Sequence, residues 1–172
     1  LCFATDPFMY GYEEVGEMAL ASIKKLNDAG IKCTVLTKGL LPRSLALLSK
    51  ENEYGITLVS LDETYREKME PGAASYHERL AALRTLHDAG CKTWVSIEPY
   101  PTPNLIEQNL MELLEAISFT DKIIFGRTNY SKDTSSYKGH KDFYNKKAAE
   151  VIEFCESRGI KYHIKDKTIT EE

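Results

Sequence analysis

Apolar residues recur at spacings of three and four along several stretches of the chain, and short runs rich in Val, Ile, Thr, Cys, Trp and Tyr lie between them. The first spacing is that of a helix with one buried stripe; the second suits strands covered on both faces. Helices are predicted over Glu13–Ala29, Pro42–Lys50, Ser75–Ala89, Leu105–Ile117 and Lys141–Arg158. Strands are predicted over Leu1–Ala4, Lys32–Thr37, Ile56–Ser60, Lys92–Ile97, Lys122–Phe125 and Lys161–Ile164. Pro42 fits a first helical turn, where no amide donor is needed. Ser75 followed by Glu78 is a capping box, and Pro71-Gly72 just before it breaks the preceding segment.

One join is written three times: NDAGIKCTVLTK from Asn27, HDAGCKTWVSIE from His87 and, more weakly, ESRGIKYHIKDK from Glu156. In each, a helical pattern runs into a Gly, which tolerates the left-handed conformation that closes a helix, and a strand follows. Helix, Gly stop and buried strand form the αβ half of a βαβ unit, so the repeats imply parallel strands joined by right-handed crossovers. A doubly wound sheet and an incomplete (β/α) barrel both satisfy this α/β order.

Ligands of parallel α/β folds bind outside the carboxyl ends of the strands. Those ends read Thr5-Asp6-Pro7, Thr37-Lys38-Gly39, Ser60-Leu61-Asp62, Glu98-Pro99-Tyr100 and Gly126 to Tyr130. Each alone is ordinary turn chemistry. Together they bring a lysine, an arginine, hydroxyls, carboxylates and a tyrosine to one rim, the polar complement of an amino-acid-like ligand. The polar stretch Arg127–His140 is a candidate substrate loop. Glu70-Pro71-Gly72 reads as part of the site or as a turn before a helix with Arg79 and Arg84 on its solvated face. Two other readings stay open on these residues. One is a cluster-free (β/α) aldolase or isomerase with Lys38 as Schiff-base amine and Glu98 as acid/base. The other is a noncatalytic domain that holds a nucleotide or partner.

The bulk properties narrow the setting. A chain of 172 residues suits a single domain. A net charge of −4 with interleaved signs gives no electrostatic case for nonspecific nucleic-acid binding. No apolar run approaches the roughly 20 residues of a membrane span. Cys2, Cys33, Cys91 and Cys155 are scattered, without the spacing of a metal site, as expected of reduced thiols in a cytoplasmic protein. Leu1 opens inside an apparent strand with no initiator Met, so a fragment is expected.

Thr-Asp-Pro after the first strand, Thr-Lys after the next, Ser60, Glu70-Pro71-Gly72 with Arg79-Leu80, and Pro99 after WVSIE occur in an order that resembles the radical S-adenosylmethionine superfamily. The likeness is greatest to the branch related to spore photoproduct lyase and runs from Leu1 to about Pro103; the tail with GRTNY and FYNKKAAEVIEFC is similar to the same branch. The resemblance implies a partial (β/α)6 TIM-like barrel lacking its first strand and cluster loop, with residues 1–172 carrying strands two to six plus a C-terminal helix and strand. It implies S-adenosylmethionine across the strand ends, with Thr5 near the methionine amino group and Lys38 on the carboxylate. Ser60 would face the cofactor and the backbone of Glu98 and Pro99 would line the adenine, with Asp6 also cofactor-binding. Tyr10, Glu70, Arg127, Asn129 and Tyr130 fall on the substrate side.

The departures are specific. The CxxxCxxC loop that would hold a [4Fe-4S] cluster does not occur, so no residue is assigned as a metal ligand. Glu98 stands where many relatives have a small apolar residue, and Tyr10 and Tyr12 replace a polar-proline sequence. The resemblance therefore implies that cluster and S-adenosylmethionine together belong to a full-length parent. That parent would take electrons from a flavodoxin or ferredoxin and use a 5′-deoxyadenosyl radical to abstract hydrogen, and this chain would be inactive alone. A DNA-repair lyase role, with nucleic acid as partner, rests on analogy to the branch.

Overall fold

The computed structural model describes residues 5–128, 134 and 136–170. The predicted strand Leu1–Ala4 and the site candidates Asn129 and Tyr130 lie outside the described residues. In chain order the elements are α1 (Glu13–Asp28), β1 (Thr34–Thr37), a 3-10 turn (Arg43–Leu47), β2 (Glu53–Thr57), α2 (Glu63–Met69) and α3 (Tyr76–Asp88), then β3 (Lys92–Tyr100), α4 (Leu110–Ala116), β4 (Lys122–Arg127), α5 (His140–Arg158) and β5 (Lys161–Ile164).

The tripled join is three copies of one backbone device. Gly30, Gly90 and Gly159 take φ of 75°, 76° and 67°. The next residue in each copy donates back into the last helical turn: Ile31 N to Leu26 O at 2.9 Å, Cys91 N to Leu86 O and Ile160 N to Cys155 O at 3.0 Å. These bonds satisfy carbonyls that the helix end would leave open and turn the chain toward its strand.

The strands lie in the order β1-β2-β3-β4-β5, that of the sequence. β1 pairs in parallel with β2, Thr34 opposite Glu53 and Thr37 opposite Ile56, and β4 pairs in parallel with β5, Lys122 opposite Lys161. A doubly wound sheet reverses its order at a switch point, whereas a (β/α) barrel winds one way. The unreversed order therefore decides for the partial barrel.

Several boundaries differ from the sequence reading. Residues 42–50 form only the short 3-10 turn, with Leu45 buried and Leu47 87% exposed, because no second apolar turn follows to hold a longer helix. The second strand begins at Glu53, three residues before the prediction. The fourth helix starts at Leu110, where Asn109 accepts from Met111 N at 3.0 Å; Pro101 and Pro103 precede it. Helix α2 has no buried residue and so left no apolar period to read; its only sequence signal is the N-cap Asp62. β5 was expected to be covered on both faces but is largely exposed.

Two compact units divide the chain: residues 1–57 with 61–94, and 58–60 with 95–172. In the first, Ile23, Val35, Leu45, Tyr54, Ile56, Leu83 and Leu86 are wholly buried. Gly55 lies under Trp94, whose Cε2 is 2.3 Å from where a Cβ would stand. In the second, Val95, Ile97, Leu110, Leu114, Ile123, Phe125, Ala148 and Val151 form the core, and Tyr100 stacks on Phe143 at 6.1 Å. Cys33, Cys91 and Cys155 are free and buried. Among the described residues no helix is long and apolar enough to cross a membrane.

Candidate functional site

In the first unit the carboxyl end of β1 meets the loop that follows residue 5. Asp6 spends both oxygens there: Oδ1 accepts from Phe8 N at 2.9 Å and from the Thr37 hydroxyl, and Oδ2 accepts from Lys38 N at 2.6 Å. Thr37 Oγ1 accepts from Gly39 N at 2.8 Å. Gly39 permits the closeness, since a Cβ on it would lie 1.7 Å from Phe8 O. Asp6, expected to bind the cofactor, is thus the strut that ties this loop to the strand end, while Thr5 beside it is exposed.

Lys38 follows directly on β1 with its side chain 44% exposed, and its Nζ lies 2.9 Å from Glu70 Oε1. The Glu70 side chain is only 5% exposed, and its other oxygen lies 2.8 Å from Nη2 of Arg79, which is wholly buried. That second contact is off the N–H axis, a close charge contact rather than an aligned hydrogen bond. Arg79 anchors itself elsewhere, through Nε to Ala74 O and Nη1 to Thr57 O, both 2.9 Å. Its guanidinium also sits 5.0 Å from the Tyr76 ring centre. Burial, and after it the Glu70 charge, push the Tyr76 phenol well above its ordinary range.

The loop 70–75 is held at both ends. Glu70 N donates to Arg66 O at 2.7 Å and Ala74 N to Lys38 O at 3.0 Å. Arg66 pairs with Glu63 and donates to Ala73 O at 3.0 Å, and Glu63 accepts from Tyr76 N at 2.6 Å. Burial opposes the Glu63 charge, but Arg66 and the amides of Tyr76 and His77 outweigh it and hold that carboxyl below its usual range. Ser75 caps α3 in the expected reciprocal box with Glu78.

Arg79 therefore does not lie on a solvated face, although Arg84 is exposed as expected. Tyr76, Arg79, Leu83 and Leu86 form one buried stripe of α3, and that spacing, visible in the sequence, was the signal. Glu70, assigned to the substrate side, is buried between Lys38 and Arg79. Tyr10, 44% exposed, lines an open cleft of about 850 Å³ with Phe8, Tyr12, Leu20, Leu40 and Pro42.

In the second unit Ser60 is wholly buried. Glu98 is half-buried, Pro99 is exposed and the bond between them is cis. Glu98 Oε2 lies 3.2 Å from Lys165 Nζ, a partner that sequence reading did not supply. Both side chains cross Gly126, where a Cβ would stand 2.9 Å from Glu98 Cγ and 3.1 Å from Lys165 Cγ. Tyr100 O accepts from Tyr144 Oη at 2.7 Å and Thr128 Oγ1 at 3.1 Å, and Arg127 N donates to Thr168 Oγ1 at 3.3 Å.

S-adenosylmethionine and an iron-sulfur cluster fare differently against these residues. The methionine head needs a cation for its carboxylate, and Lys38 offers a held, half-exposed ammonium at a strand end. For the cluster, the described residues provide no group of three His, Cys, Asp or Glu side chains able to hold a metal, and the described thiols are buried. These residues do not fit a cluster.

Comparison with known proteins agrees with the fold. The family profile described as the Radical SAM superfamily matches residues 2–117, more than half of the chain. An uncharacterized protein, ORF301 of Acidianus two-tailed virus, is 32% identical over 99 residues, covering 55% of this chain and 33% of its own, so the chain spans about a third of that relative. Streptococcus suis SuiB bound to S-adenosylmethionine superposes with a TM-score of 0.65 at 14% identity, over 94% of this chain and 36% of SuiB. Spore photoproduct lyase complexed with dinucleoside spore photoproduct superposes at 0.62 with 15% identity, over 91% of this chain and 57% of the lyase.

Proposed function

The chain belongs to the radical SAM superfamily, and from that premise we propose that it is an S-adenosylmethionine-binding part of a radical enzyme, with Lys38 holding the methionine carboxylate. The observation that carries this reading is the Lys38 ammonium, set at the end of β1 and kept from collapsing onto the surface by Glu70. A point charge on a strand end suits a carboxylate, and the exposed hydroxyl of Thr5, next to Asp6 in the chain, suits an ammonium. Bound there and given one electron from a reductant that these residues do not hold, S-adenosylmethionine would supply a 5′-deoxyadenosyl radical for hydrogen abstraction. This chain's residues bind and orient it. Within the same unit as Lys38, the family pattern assigns Tyr10 to the substrate side.

The aldolase reading finds less support. A Schiff-base lysine works in a dry pocket, whereas Lys38 is half-exposed beside a carboxylate.

The test is calorimetric titration of S-adenosylmethionine into wild type and Lys38→Ala. Loss of one charge-assisted contact should weaken binding by roughly tenfold to a hundredfold. Thermal melts should scarcely move, since Glu70 keeps Arg79. Equal affinities would refute the assignment.

A further inference from the structure

We propose that Glu70 is the positioning residue for Lys38, and that Arg79 is the buried counter-charge that leaves Lys38 free to attract an anion. The inference rests on the reading of Lys38 as the carboxylate holder and concerns residues that reading leaves without a role.

Charge balance makes the argument. Lys38 and Glu70 alone would be a neutral pair, and a neutral pair has little pull on a ligand carboxylate. Arg79, 2.8 Å from the second Glu70 oxygen, brings the trio to a net charge of +1, and Lys38 is its only exposed member. Arg79 thus offsets Glu70, and the nearby Asp6 carboxylate is taken up by three protein donors, so neither acid is left to neutralise the Lys38 ammonium at the rim. The ligand class that fits is a single carboxylate.

Geometry makes the second half. A free lysine carries rotamer entropy that a ligand must suppress on binding. Here that ordering is already done, because Glu70 takes one ammonium contact and cannot itself drift. Its carboxylate is buried against Arg79, its amide donates to Arg66 O at 2.7 Å, and Ala74 N of the same loop holds Lys38 O at 3.0 Å. One loop thus fixes Lys38 by backbone and by side chain. Two further donor positions on the ammonium remain for a ligand.

The experiment is a double-mutant cycle on this chain, read by S-adenosylmethionine titration, with the Lys38 ammonium followed by nitrogen NMR. Glu70→Gln strands the Arg79 charge and risks unfolding, so Glu70→Asp is the principal variant: it keeps the charge and withdraws the carboxylate from Lys38. Glu70→Asp should weaken binding by about five- to tenfold, and Lys38→Ala/Glu70→Asp should bind no worse than Lys38→Ala alone, the non-additivity of residues acting through one contact. The Lys38 ammonium, protected in wild type, should exchange like a surface lysine in Glu70→Asp. Additive losses would overturn the proposal, as would a Glu70→Asp with wild-type affinity and unchanged ammonium protection. If wild type fails to bind S-adenosylmethionine while Glu70→Asp releases the ammonium, the cofactor reading falls and the positioning of Lys38 by Glu70 stands.

Discussion

Replacing Arg79 with Leu separates a buried charge network from a decorated helix surface. Leu fills part of the space along the stripe of Tyr76, Leu83 and Leu86, so the change removes charge and donors more than volume. Three partners lose a donor or counter-charge: the Glu70 carboxylate at 2.8 Å and the carbonyls of Ala74 and Thr57 at 2.9 Å. Breaking one side of a buried ion pair costs about 3–5 kcal/mol, and each stranded buried carbonyl about 1–3 kcal/mol. These do not add, since one side chain makes all three and Glu70 keeps Lys38. The expected loss is therefore about 4 kcal/mol, against a total stability of about 5–15 kcal/mol for a domain. Urea unfolding should show a lower midpoint with the slope unchanged. Adding Glu70→Gln to Arg79→Leu should recover part of the loss, because the stranded charge goes with it. A change within about 0.5 kcal/mol, the ordinary result for a surface residue, would refute the reasoning.

Two further outcomes follow from packing and from titration. Gly55→Ala sets a Cβ 2.3 Å from a Trp94 ring atom, so about 1–3 kcal/mol of overpacking is expected. Because Trp94 is the sole tryptophan, its fluorescence and near-ultraviolet dichroism report the displaced ring directly; unaltered spectra and stability would contradict the contact. Burial pushes the Cys155 thiol up to about 11, above the roughly 8.5 of a free thiol. The unfolded chain then loses its proton first, so this group's contribution to stability is intact below the free value and falls as pH rises toward 11. Urea midpoints from neutral to alkaline pH should decline, and less so in Cys155→Ala; identical declines would remove burial of this thiol as a cause.

The joins between helix and strand were legible because each is local: a periodic stripe, a Gly and a β-branched run within a dozen residues. α2 was not, because a helix with no buried residue carries no period. Arg79 shows an intermediate case. Its place in the stripe was written in the sequence, but a charged residue on an apolar face reads as exposed until the carboxylate that compensates it is found, and Glu70 comes from a loop. The Glu98–Lys165 pair was beyond reach for a similar reason, joining β3 to the segment after β5. Asp6 was legible in place but not in role, since a carboxylate beside a strand end looks the same whether it faces a ligand or accepts three protein hydrogen bonds.

Gly126 hands the experimenter a way to move Glu98 without altering its chemistry. The carboxylate of β3 and the ammonium of Lys165 meet only because the strand between them bears a hydrogen where any other residue has carbon. A methyl at that point would push at Glu98 Cγ from 2.9 Å and at Cδ from 3.0 Å, displacing the acid while leaving its charge untouched. Glu98→Gln does the converse. Measured side by side, the two changes tell whether a ligand senses the presence of negative charge or its exact address, and the setting that decides the address is encoded on a neighbouring strand.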